Sequence, residues 1–110
     1  MAEGLAGRHC EACEKGTPPL SAERAAELRG QVPGWEIEGG TALVRSFRFK
    51  DFVAAVGFVN LIAPIAEEEG HHPDLQVGWG RVTVRLTTHA AGGLTDNDFI
   101  LAAKIDRLAG

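Results

Sequence analysis

Residues 35–49 read WEIEGGTALVRSFRF, and this stretch decides the fold because it holds two strands and the turn that joins them. Gly39-Gly40 is a two-residue hairpin signal, so we predict a strand from Trp35 to Glu38 and a returning strand from about Thr41 to Phe49. Leu43, Phe47 and Phe49 recur at a period of two along the second strand. The stretch therefore predicts an antiparallel pair with one apolar face.

A long helix is predicted directly after this hairpin. Asp51 is a suitable N-cap, and helical spacing of apolar residues continues from Phe52 to Glu69. The apolar face predicted from this spacing consists of Phe52, Val56, Val59, Ala63 and Ala66. Pro64 lies inside the segment, so we expect a kink or a restart there. The acids Glu67–Glu69 end the helix where its dipole disfavours carboxylates, so either the helix breaks at Pro64 or the surroundings make those charges useful.

The rest of the chain supplies a second strand pair and two more helices. One strand is predicted from the alternation of Leu75, Val77 and Trp79, and the next from Val82, Val84 and Leu86. Ser21 is the predicted N-cap of a helix over Ala22–Arg29, and Thr95 is the predicted N-cap of the last helix. The order α-β-β-α-β-β-α predicts an α+β fold, in which a four-stranded antiparallel sheet has helices packed on one face.

The ends of the chain and of the sheet carry two further expectations. Residues 1–19 contain glycine and proline with little apolar periodicity, so we expect a flexible N-terminal lead-in, and residues 20–110 a single domain. Because an open sheet in so small a domain leaves edge strands unpaired, we also expect the protein to self-associate.

Composition excludes several classes of protein. The 110 residues are 45% hydrophobic and 24% charged, which is ordinary for one globular domain. Lys and Arg number 11 against 15 Asp and Glu, a net charge of −4, so direct nucleic-acid binding is disfavoured. No apolar run approaches the ~18 residues of a membrane span, and no signal peptide is recognised at the N-terminus. With only two cysteines, Cys10 and Cys13, we expect reduced thiols and a cytoplasmic location.

Three histidines near predicted strand ends are the candidate catalytic groups. They are His71, His72 and His89, and imidazole as a group suits proton transfer at neutral pH, although three exposed histidines without a role are an equally simple explanation. A three-histidine zinc site is disfavoured because the adjacent residues His71 and His72 point to opposite sides of an extended chain. The spacing of Cys10 and Cys13 is that of a zinc knuckle, but the chain lacks a second cysteine pair.

Glu67, Asp98 and Trp35 are further candidates, and each has an alternative explanation. Glu67 lies one helical turn before His71 and could orient a histidine, or it could be a solvated acid. Asp98 lies three residues after Thr95, which is the position of a capping-box acid. Trp35 could stack on a flat ligand ring, or it could belong to the core.

Together these residues resemble the pterin-4a-carbinolamine dehydratase family, also known as the dimerisation cofactor of a homeodomain transcription factor. The family signature is an acid, three residues, His-His-Pro, a short gap to an aromatic, nine residues, a histidine and then an aspartate. In this chain the signature consists of Glu67, His71-His72-Pro73, Trp79, His89 and Asp98. The resemblance covers about Leu20 to Leu108.

This resemblance implies the dehydration of a 4a-hydroxytetrahydropterin to quinonoid dihydropterin by a homodimer or homotetramer that needs no metal or organic cofactor. It implies that His71, His72 and His89 are acid/base groups, and that Glu67 tunes a neighbouring histidine. It further implies that Trp35 packs beside the pterin ring, and that Asp98 supports His89 or caps the last helix. The alternative is a non-enzymatic interaction protein of the same fold, either a transcription co-activator or an assembly factor for a carbon-fixing enzyme.

Overall fold

The structure, a computed structural model, describes residues 4–12 and 15–109. The elements in chain order are α1 (Ala22–Arg29), β1 (Glu36–Glu38), β2 (Ala42–Arg48), α2 (Phe52–Glu69), β3 (Asp74–Gly78), β4 (Arg81–Leu86) and α3 (Asp96–Ala109), with a short 3₁₀ turn over His89–Ala91. The predicted α+β order is therefore confirmed. Cys13 lies outside the described residues.

The four strands form one antiparallel sheet in the order β1-β2-β4-β3. Leu43 of β2 pairs with Leu86 of β4, and Phe47 pairs with Val82, so these apolar side chains share one face. Helices α2 and α3 pack on the sheet and, with α1, enclose the core. The opposite face is polar, and there the hydroxyls of Ser46 and Thr83 lie 2.8 Å apart across β2 and β4.

Local signals place the ends of several elements where they were predicted. Gly39 and Gly40 have φ values of 59° and 73°, which glycine adopts without strain, and they turn β1 into β2. The side chain of Ser21 accepts a hydrogen bond from the N–H of Arg24, and that of Asp51 accepts one from the N–H of Ala54. These two caps fix the first residues of α1 and α2.

The predicted interruption of the long helix at Pro64 is not found. α2 runs without a break from Phe52 to Glu69 and ends at Gly70, whose φ is 65°. Pro64 and Asn60 are both exposed on the helix. Water can therefore reach the carbonyl of Asn60, which loses its helical donor to the proline ring.

The predicted apolar face of α2 was also wrong in part. The buried residues are Ala55, Phe58, Ile62 and Ala66, whereas Phe52 is 51% exposed. Apolar residues occur on every side of this helix, so their spacing does not select the face that packs on the sheet. Trp79 likewise lies in the turn between β3 and β4, where it is 73% exposed, and not on a strand.

The predicted lead-in makes contacts that the sequence did not indicate. Leu5 is buried in the same apolar cluster as the sheet and the helices. The N–H of Leu20 donates to the carbonyl of Leu94 at 2.8 Å, which ties the start of α1 to the residues before α3. The flexibility of residues 1–19 stays a prediction. None of the helices built from the described residues is long and apolar enough to cross a membrane.

Candidate active site

The three predicted histidines line one cavity of about 390 Å³. Gly70 turns the chain at the end of α2 in the left-handed conformation, and this turn delivers His71 and His72 to the cavity. His89 reaches it from the 3₁₀ turn that follows β4. The other lining residues are Glu11, Ala12, Glu69, Gly70, Thr87, Thr88, Ala90 and Asn97. The fold therefore joins residues from both halves of the chain at one site.

His71 is held by a buried carboxylate. Its Nε2 lies 2.6 Å from Oδ1 of Asp98, whose side chain has no exposed surface, while the histidine side chain is 12% exposed. An ionised carboxylate can only accept a hydrogen bond, so Nε2 donates and Nδ1 is left for proton exchange. Asp98 was predicted to support His89 or to cap the last helix; in the structure its histidine partner is His71.

Asp98 also connects the start of α3 to the end of β4. Its Oδ2 accepts hydrogen bonds from the N–H of Thr95 at 3.0 Å and from the hydroxyl of Thr88 at 2.8 Å. The first of these is the capping-box contact predicted from the spacing of Thr95 and Asp98. The hydroxyls of Thr88 and Thr95 lie 2.9 Å apart. This buried polar network fixes His71 relative to the turn that carries His89.

His72 has a carboxylate partner of its own at the surface. Its Nε2 lies 2.5 Å from Oε2 of Glu67, and the two side chains are mostly exposed. Glu67 therefore orients His72 and not His71, which is the histidine one helical turn after it. The alternation of the chain after Gly70 explains this, because successive side chains point to opposite sides.

Trp35 does not belong to the site. Its side chain is fully buried, its Nε1–H donates to Oδ1 of Asp106 at 2.9 Å, and its ring meets Phe47 edge-on. A side chain with no exposed surface cannot stack on a ligand, so the predicted contact of Trp35 with the pterin ring is corrected to a core position. The Pro-Gly turn before it does not distinguish these two roles.

Glu69 is a site residue that the sequence analysis missed. Its side chain lines the cavity yet is only 2% exposed. The N–H of Cys10 donates to its Oε1 at 2.7 Å, His9 Nδ1 lies 2.8 Å from its Oε2, and Lys104 Nζ lies 3.6 Å from the same oxygen. Burial disfavours the ionised form, but the hydrogen bonds from Cys10 and His9 and the charge of Lys104 together lower the pKa of Glu69.

The chain before α1 contributes Glu11 and Ala12 to the lining of the same cavity, and Cys10 lies next to them. Burial, followed by the charge of Glu69, raises the pKa of the Cys10 thiol to about 12. Asn97 forms two hydrogen bonds with the main chain of Glu11. Its Oδ1 accepts from the N–H of Glu11 at 3.0 Å, and its Nδ2 donates to the carbonyl of Glu11 at 2.6 Å. The three consecutive glutamates at the end of α2 were the one sequence signal that indicated Glu69 and its partners.

Among residues 4–12 and 15–109 no group of three His, Cys, Asp or Glu side chains is arranged to hold a metal ion. His71 and His72 instead face separate carboxylates, Asp98 and Glu67.

The sequence as a whole matches known proteins. The family described as "Pterin 4 alpha carbinolamine dehydratase" matches residues 18–108. The chain belongs to this family. A protein of Rubrobacter xylanophilus named "Putative pterin-4-alpha-carbinolamine dehydratase" is 48% identical over 104 residues, which cover 94% of this chain and 97% of the relative. A protein of Methylococcus capsulatus with the same name is 46% identical, covering 96% of this chain and 93% of the relative.

Solved structures of the pterin-4a-carbinolamine dehydratase fold are also similar. A transcriptional coactivator/pterin dehydratase from Brucella melitensis superposes with a TM-score of 0.79 at 38% identity, covering 84% of this chain and 99% of that one. A pterin dehydratase-like protein described as a RuBisCO assembly factor in the alpha-carboxysome gives a TM-score of 0.61 at 26% identity, covering 70% and 90%. The predicted family and fold are thereby confirmed.

Proposed function

We propose that this protein is a 4a-hydroxytetrahydrobiopterin dehydratase, which removes water from 4a-hydroxytetrahydropterin to give quinonoid dihydropterin and so serves tetrahydrobiopterin recycling. The observation that carries the proposal is the meeting of His71, His72 and His89 around one cavity of about 390 Å³. That volume lies within the range of about 300–1,000 Å³ that is usual for small-molecule sites. Membership of the family supports the same substrate class.

The reaction requires two proton transfers. A proton must reach the departing 4a-hydroxyl, and another must leave N5 of the pterin, so that the C4a–O bond breaks as the C4a=N5 double bond forms. Imidazole exchanges protons near neutral pH and can serve in both steps. We assign these transfers to the three histidines.

The carboxylate partners give two of the histidines defined orientations. Asp98 holds His71 through Nε2 and leaves Nδ1 for the pterin, while Glu67 holds His72 at the mouth of the cavity. Each carboxylate also stabilises the positive charge that its histidine acquires on accepting a proton. His89 lines the same cavity from the turn after β4.

The test is an assay with enzymatically generated 4a-hydroxytetrahydrobiopterin, in which the quinonoid product is followed by absorbance. We expect the wild-type protein to accelerate product formation, and His72→Ala and His89→Ala to lose about 10²–10⁴-fold in rate, the range of general acid–base catalysis. Arg24→Gln, on the exposed face of α1, is the matched control and keeps the wild-type rate. A folded wild-type protein that gives no acceleration over buffer would exclude the proposal.

A non-enzymatic role is the second candidate, since one structural neighbour is described as an assembly factor and another as a coactivator. A role in protein contact alone does not require three histidines around one cavity, two of them with carboxylate partners. The dehydratase therefore explains more of this chain's own features, and affinity purification from the source cell would show a reproducible second protein if the other role exists.

We further propose that the protein acts as a homodimer or homotetramer. Val53 is 80% exposed and Leu61 is 50% exposed, and they lie with Gly57 at four-residue intervals along α2. A helix that is apolar on all sides is normally covered on all sides. We expect light scattering to give an oligomer for the wild type and a smaller species for Leu61→Glu; identical masses would contradict this interface.

A further inference from the structure

The residues before α1 divide a groove beside the histidines into two cavities. The cavity of about 390 Å³ that holds the histidines and a second one of about 340 Å³ share Glu11, Ala12 and Asn97 as lining residues. Residues 5–12, called here the N-terminal segment, therefore lie between the two cavities and supply part of the lining of each. The family signature begins at Glu67 and gives this segment no role.

The N-terminal segment is held mainly by its main chain. Asn97 binds both the N–H and the carbonyl of Glu11, and Glu69 accepts from the N–H of Cys10. Lys104 Nζ donates to the carbonyl of Ala6 at 2.9 Å. Asn97 is buried, and the side chains of Glu69 and Lys104 are 2% and 14% exposed. Buried polar groups that hydrogen-bond to a main chain fix where the chain runs. The side chains of Leu5, Arg8 and His9 add contacts of their own.

Two of the three histidines are anchored independently of this segment. His71 is held by Asp98 and His72 by Glu67, and neither contact involves a residue of the N-terminal segment. Displacing the segment would therefore open one side of the cavity while His71 and His72 keep their places. Such a change weakens ligand binding more than it slows the chemical step.

We propose that the N-terminal segment is a substrate-contacting wall of the pterin site, and that Asn97 and Lys104 are positioning residues that act through it on substrate affinity. This inference rests on the proposed dehydratase function. It assigns the segment a part in recognition of the substrate, and it explains why an acid at the unfavourable end of α2 is buried and fully paired.

Lys104→Met is the principal test, because Lys104 lines neither cavity; its ammonium donates to the carbonyl of Ala6 and forms an ion pair with Glu69. We expect its KM for 4a-hydroxytetrahydrobiopterin to rise about five- to tenfold, as the loss of a charged hydrogen bond allows, with kcat within about twofold of wild type. Asn97→Ser is a second variant with the same expected pattern. Arg24→Gln, in an exposed ion pair with Glu27, is the control with unchanged KM.

A second readout shows whether the segment itself responds to ligand. In a Cys13→Ser background, alkylation of Cys10 by iodoacetamide is measured with and without 7,8-dihydrobiopterin as a stable pterin probe. We expect the probe to slow alkylation, and Lys104→Met to speed it by several fold. A purely structural contact would change thermal stability without any protection by the probe.

The outcomes separate this inference from the function on which it rests. Wild-type KM in both variants, despite faster alkylation of Cys10, would overturn the proposal that the segment contacts substrate. An unchanged alkylation rate in Lys104→Met would overturn its role as an anchor. A wild-type protein without dehydratase activity would overturn the proposed function and this inference together.

Discussion

Asp98→Asn replaces the buried carboxylate that holds His71 with a side chain of nearly the same shape. Asp98 accepts three hydrogen bonds, from His71, Thr88 and Thr95. An asparagine has one accepting oxygen, and its amide group would face a donor at the other position. Either the N–H of Thr95 loses its acceptor, or His71 has to change the ring nitrogen that carries its proton.

The magnitude follows from these contacts. An unsatisfied buried donor costs about 1–3 kcal/mol, and loss of a negative charge from the first turn of α3 costs up to about 1 kcal/mol. A total of about 1–4 kcal/mol corresponds to a Tm lowered by roughly 5–20 °C in a domain of this size. Since His71 also loses its orientation, we expect kcat to fall about 10–100-fold, equivalent to about 1.4–2.7 kcal/mol of transition-state stabilisation.

Thermal unfolding by circular dichroism and the dehydratase assay measure the two effects. Asp96→Asn is the matched control, because it removes an equal charge from the same helical turn at an exposed ion pair with Arg8. We expect the control to lower Tm by only a few degrees, with kcat unchanged. In a His71→Ala background, Asp98→Asn should have little further effect on kcat. If Asp98→Asn matched Asp96→Asn in both Tm and kcat, the assigned role of Asp98 would be refuted.

Two further predictions concern the N-terminal segment. Because the pKa of the Cys10 thiol is raised to about 12, its alkylation at pH 8 in a Cys13→Ser protein should be at least about 100-fold slower than in urea, and equal rates would contradict its placement. The pKa of Glu69 is lowered, so its ionised form stabilises the fold above the unfolded-state value of 4.5, and this contribution is lost as the pH falls through the lower folded-state value. Urea unfolding should therefore give Glu69→Gln a lower free energy of unfolding than wild type at pH 7, and this difference should shrink towards pH 3. The exposed variant Glu68→Gln should unfold with the wild-type free energy at both pH values. A difference for Glu69→Gln that stays constant with pH would refute the argument.

The parts of the fold that could be predicted are those fixed by neighbours in sequence. Ser21, Asp51 and Gly39-Gly40 act within two or three residues of themselves, so their positions determine where α1, α2 and the first turn occur. The buried face of α2 could not be predicted, because apolar residues surround that helix and tertiary packing makes the selection. The break predicted at Pro64 was wrong for a similar reason. The cost of the hydrogen bond that proline removes depends on whether water reaches the carbonyl of Asn60, and the sequence does not show this.

The candidate site could be predicted only where the family signature covered it. His71, His72 and His89 were identified from that spacing, and the structure brings them to one cavity. The partners of Glu69 and Asn97 could not be identified, because Cys10 and Glu69 are 59 positions apart, and Glu11 and Asn97 are 86 apart. Short-range patterns carry no information about such contacts, although the unfavourable charge at the end of α2 showed that a compensating group was needed.

The contact between Asn97 and Glu11 has a consequence for protein engineering. Both of its hydrogen bonds go to the backbone of residue 11, so they place no demand on the side chain that residue 11 carries. Position 11 also borders the cavity that holds the histidines. A saturation library at this single position would therefore vary the surface presented to the cavity while both hydrogen bonds to the main chain are kept, and under the proposed function it is a compact starting point for altering pterin selectivity.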